Sequence, residues 1–137
     1  MRETPGPVRP DRLTGNDAVT LAQAAAEAIR GLNHATGHQA GLGQPSAAYD
    51  VIGTLSLAAG RLGQALTQIT RYLDTALAAG RLGHDLGEDP AHAVNAAAVF
   101  LSDATASAAA LAGDLSEAQQ QLALINGRPA QTRKDQP

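Results

Sequence analysis

The chain has no cysteine and no tryptophan, and only three aromatic residues: Tyr49, Tyr72 and Phe100. Without cysteine there is no disulfide framework and no thiolate to act as nucleophile or metal ligand. With so few rings the core cannot be anchored on large side chains, and β-branched residues are also too few to favour strands. No G-x-S-x-G and no phosphate-cradling glycine loop occurs, so no enzyme class is indicated and the reading is non-enzymatic. No apolar run approaches the roughly 20 residues of a membrane span. The richest, residues 104–112, is interrupted by Thr105 and Ser107. The N-terminal MRETPGPVRP lacks the apolar centre of a Sec-type signal peptide. The expectation is a cytoplasmic chain without a membrane partner, although export by a route that reads no cleavable signal stays open.

Positive charge is also scarce where a nucleic-acid binder would need it. Residues 14–127 hold Arg30, Arg61, Arg71 and Arg81 against ten carboxylates. The basic residues Arg2, Arg9, Arg12, Arg128, Arg133 and Lys134 lie near the two ends. An acidic body repels phosphate, so no nucleic-acid partner is expected. Residues 1–13, with Pro5, Pro7 and Pro10, and residues 128–137 read as disordered tails around one domain, 14–127.

Alanine, leucine, glutamine and arginine take the place of what is missing, and these are helix formers. The fold class is therefore all-α. A first helix starts near Asn16, capped by Thr14 or Asn16, and stops at Gly37. Its apolar row is Ala18, Leu21, Ala25, Ala28, Leu32 and Ala35. A glycine-rich loop, TGHQAGLGQP, leads to a second helix over 46–80, with Ser46 as a natural cap. Its heptad row is Ala48, Ile52, Leu55, Ala59, Leu62, Leu66, Ile69, Leu73 and Ala76, flanked by Val51, Ala58, Ala65, Tyr72 and Ala79. A third helix opens with Asp89 as cap and Pro90 at its first position, and ends before Asn126-Gly127. Its row is Val94, Ala97, Leu101, Ala104, Ala108, Leu111, Leu115, Ala118, Leu122 and Ile125.

The phrase LAAGRLG occurs at 57–63 and again at 77–83. Twenty residues at about 100° each place the copies on opposite faces of one helix. The second copy reads as a helix end. The first permits either a continuous helix, since Ala59 and Leu62 keep the row in register, or a break that would make four helices. The expected architecture is a three-helix bundle: two long helices in an antiparallel hairpin, plus the shorter first helix. If that helix folds back antiparallel to the second, the end carrying Ile69, Tyr72, Leu73, Leu77, Val94, Phe100 and Leu101 stays open for a partner. The partner would be a second copy or another protein's helix. The long loop equally lets the first helix cover that end.

Polar clusters have structural readings. His84, Asp85, Glu88 and His92 hold donors suited to a metal, but Asp89 beside them caps a helix and the acids suit its dipole, so no metal and no cofactor is assigned. His34 and His38 share a spacing used by metal pairs, yet Gly37 between them ends the helix. Arg71 and Asp74 read as an i, i+3 ion pair, and Ser102 and Asp103 as neighbours pointing apart. A small regulator binding a ligand between helices, or a metal at the 84–92 turn, is the alternative to the interaction module.

The stretches LTGNDAV at 13–19, LAQAAAEAI at 21–29, LNHAT at 32–36 and YDVIG at 49–53 resemble a group of small, uncharacterised, Ala-rich all-helical proteins of actinobacteria. The resemblance spans about residues 12–127. It implies a cytoplasmic or mobile-element accessory protein and no particular activity. The Trp-x-Gly turn of small secreted helical hairpins is missing, which argues against a secretion substrate.

Overall fold

The computed structural model describes residues 14–38 and 41–128, and the expected tails lie outside the described residues except for Arg128. The described residues form three helices and no strand: α1 (Gly15–Thr36), α2 (Pro45–Ala78) and α3 (Pro90–Gln121). The chain divides into two compact units, Met1–Gly43 and Gln44–Pro137.

In the first unit, α1 begins with a reciprocal capping box. The Asp17 carboxylate accepts from the Thr14 N–H at 2.7 Å and from its hydroxyl at 2.9 Å, while the Asp17 N–H donates to the Thr14 hydroxyl at 3.4 Å. The backbone bond first, then the hydroxyl bond, hold the Asp17 carboxyl below its ordinary value of 3.8. A lowered folded-state value means stabilisation that is present above the ordinary value and lost as pH falls through the lowered one. Helicity followed from about pH 5 to below about 3 is therefore expected to drop more in the wild type than in Asp17→Asn. Identical acid titrations of the two proteins would contradict this cap. At the other end Gly37 is the C-cap, and its N–H donates to the Asn33 carbonyl at 3.0 Å.

The second unit is an antiparallel hairpin of α2 and α3. Pairings across it run in opposite directions: Tyr49 meets Gln119, Ser56 meets Ala112, and Gly63 lies against Thr105 and Ala108. Pro45 opens α2, with Gln44 as a cap that makes no side-chain bond, so Ser46 lies inside the first turn and not at the cap. The helix runs unbroken through the first LAAGRLG. The second copy ends it: the Gly80 N–H donates to the Leu77 carbonyl and the Arg81 N–H to the Ala76 carbonyl, with Gly80 at φ 68°. That is a Schellman end, and its left-handed position favours glycine. Asp89 caps α3 through Ala91 N–H at 3.0 Å, with Pro90 at its start. α3 ends at Gln121, four residues short of the expected Ile125, and the chain continues in tight turns.

The hairpin is packed through small residues. Among the described residues its buried side chains are Ala59, Ala76, Val94 and Ala108. The contact row on α2 is Ile52, Ser56, Ala59, Gly63, Leu66, Thr70, Leu73, Ala76 and Leu77, all buried or half-buried. On α3 it is Val94, Ala98, Leu101, Thr105, Ala108, Ala112, Leu115, Gln119 and Leu122. Every second member of the expected rows is in place. Of those in between, Ala76 is buried as expected and Leu55, Ala97 and Ala104 are half-buried, while at four positions the contact shifts by one residue: Gly63 replaces Leu62, Thr70 replaces Ile69, Ala112 replaces Leu111 and Gln119 replaces Ala118. The cause is close approach, because small residues at the crossing let the axes come together and displace larger neighbours to the flank. The polar members of the row are satisfied. Thr70 and Thr105 hydroxyls donate to the carbonyls four residues back, at 3.0 and 2.8 Å. Ser56 donates across the hairpin to the Ala112 carbonyl at 2.7 Å, and the Gln119 amide, lying across Gly53, donates to the Tyr49 carbonyl at 3.3 Å.

Candidate interaction surface

The one-residue shift decides what faces outward. Residues just before the contact row point to one side of their helix, and residues just after it point to the other. In an antiparallel pair of right-handed helices, the two "before" flanks lie on the same side of the hairpin. A shallow groove of about 550 Å³ confirms the geometry from the reverse: Thr67, Arg71 and Asp74 of α2 line it with Ser102, Ala106 and Ala109 of α3, and all six follow the contact row. The opposite side is thus built from Leu55, Leu62, Ile69 and Tyr72 of α2 and from Ala97, Phe100, Ala104 and Leu111 of α3.

That side is apolar and open. Leu62 is 51% exposed, Ile69 48%, Tyr72 61%, Phe100 73% and Leu111 49%. No charge of α2 lies on it: Asp50, Arg71 and Asp74 fall on the groove side and Arg61 on the back. From α3 only Asp114 reaches its edge, while Asp103 and Glu117 point away. The groove side keeps two large exposed apolar residues, Leu57 and Val99, at its outer edges.

The seven residues expected to form an open end are not one surface. Ile69, Tyr72 and Phe100 are exposed. Leu73, Leu77 and Leu101 are half-buried in the α2–α3 contact, and Val94 is buried there. Leu62 and Leu111, expected in the core, belong to the open side instead. The signal that would have found them was the row of small residues one position away.

The polar groups do less. Arg71 and Asp74 are not paired with each other: among the described residues Glu27 and Arg30 form an ion pair at 3.4 Å, and His84 Nε2 lies 3.7 Å from the Glu88 carboxylate. At the turn, His84 Nδ1 accepts from the Leu86 N–H at 3.1 Å and Asp89 is occupied as a cap. Among the described residues no group of three or more His, Asp or Glu side chains is placed to hold a metal ion, the 84–92 turn included. His34 and His38 stand edge to face with ring centres 5.7 Å apart. In the groove, the Thr67 and Thr70 hydroxyls are spent on carbonyls of their own helix.

α3 is long and apolar enough, by length and composition, to cross a membrane. Every 20-residue stretch of it includes Asp103, however. A carboxylate within a span costs about 2.5–3.5 kcal/mol on insertion scales.

The chain matches no family model, no curated protein and no solved structure, so its function is read from this geometry.

Proposed function

We propose that the chain is a non-enzymatic helical interaction module that binds a partner protein through the apolar side of the α2–α3 hairpin. One observation carries the reading: five large apolar side chains, each about half exposed or more, share one side from which α2 withholds every charge. Contiguous apolar surface of this kind marks a docking face. A cytoplasmic setting fits a surface whose partner is another protein. The mechanism is burial of that side against partner helices, with the hairpin as rigid support.

An environment-sensitive hydrophobic dye tests this. Wherever the solution mass is that of one chain, the wild type is expected to bind the dye. Leu62→Glu/Ile69→Glu is expected to lose most of the signal with unchanged helicity. A one-chain wild type that binds no dye contradicts the proposal.

A second reading rests on the groove. Unpaired Arg71 and Asp74 line it with Ser102, and together they offer a cation, an anion and a hydroxyl to a small polar ligand. Its openness and the self-satisfied threonines favour the first reading.

A further inference from the structure

We infer that the partner of the apolar side is a second copy of this chain. The two hairpins lie face to face about a two-fold axis parallel to the helices, so that α2 of each copy covers α3 of the other. The inference rests on the apolar side being the interaction surface and adds who binds there and how.

Three features of that side lead to this arrangement. The first is its relief. α2 supplies bulk with Leu55, Leu62 and Ile69, whereas α3 at matching levels supplies Ala97 and Ala104, with Leu111 the larger exception. A ridge beside a furrow is self-complementary when each ridge lies in the other copy's furrow. A two-fold axis along the helices does this. An axis across them would set ridge on ridge.

The second feature is the aromatic pair. Tyr72 and Phe100 sit within a turn of the same level, at opposite edges of the side, with the inner rows between them. They cannot meet within one chain. The same two-fold brings Tyr72 of each copy alongside Phe100 of the other, one aromatic contact at each edge.

The third feature is size. Helices about 50 Å long, set roughly 8–10 Å apart, present about 800 Å² per copy. About 1,600 Å² in total is the area of a standard specific interface. The product is a four-helix bundle in which every neighbouring pair is antiparallel.

Because the chain has no cysteine, cross-linking is clean. Tyr72→Cys and Phe100→Cys chains are prepared separately, checked for wild-type helicity, and oxidised alone and as an equal mixture. Light scattering of the wild type is expected to give the mass of two chains. A covalent two-chain product is expected in the mixture and not in either variant alone. Two-chain mass with cross-linking in one variant alone, or with none in the mixture, overturns the arrangement. A one-chain mass at the highest concentration overturns the second copy as partner. If that single chain binds the dye, the apolar side still stands as an interaction surface for a different protein; if it does not, both readings fall. Binding of a one-chain protein to phosphatidylcholine vesicles also overturns the second-copy inference.

Discussion

Gly63→Leu is expected to destabilise the hairpin by about 3 kcal/mol, the upper end of the cost of overpacking a tight contact. A Cβ at this position would stand 3.9 Å from the Ala108 Cβ and from Thr105. That is room for one methyl group and no more. Gly63→Ala is therefore expected to act in the opposite direction, raising stability by about 1 kcal/mol through helix propensity alone. Denaturant midpoints of the two variants check this. Equal, small effects from both would mean that Gly63 is not at the crossing of α2 and α3.

Leu62→Glu/Ile69→Glu is expected to weaken self-association by about 100-fold or more, because each copy would bury two unpaired carboxylates. Helicity is expected to persist, since both side chains lie outside the hairpin contact. Gln64→Glu, on the groove side, is the matched control and is expected to leave association unchanged. The two substitution sets probe adjacent residues, 62 and 63, and call for opposite outcomes: one changes folding and spares assembly, the other changes assembly and spares folding.

That neighbouring residues divide in this way shows how far the sequence could be read. The helix spans were legible because their punctuation is local. Asp89-Pro90 opens α3, Thr14 caps α1, and Gly80 closes α2. About half of each contact row was legible too, from Ile52, Ala59, Leu66, Leu73 and Ala76 on α2 and Val94, Leu101, Ala108, Leu115 and Leu122 on α3. The other half was hidden by the rule that apolar residues go inside. Ser56, Gly63, Thr70, Thr105 and Gln119 look polar or empty in a heptad pattern, yet they occupy the crossing. They fit there because they are small, or because their polar atoms are bonded to a carbonyl of their own helix or the facing one.

The candidate surface followed from the same misreading. Leu62 and Leu111 fit the heptad rows of a core, which leaves only the turn end, from Ile69 onward, for a partner and includes Val94 there although it is buried inside the hairpin. Rotating the contact by one residue moves the opening from one end of the hairpin to one whole side. The repeat LAAGRLG makes a related point. One copy is mid-helix and the other ends a helix: Gly80 of the second takes a left-handed conformation that Gly60 of the first does not.

In the proposed arrangement the apolar side holds two chains together while the hairpin folds without it. Light scattering over a dilution series, on the wild type and on Leu62→Glu, checks both halves of this at once. The expected result is two-chain mass for the wild type and one-chain mass for the variant, with equal helicity. A one-chain wild type, or a variant that stays paired or loses its helices, would contradict it.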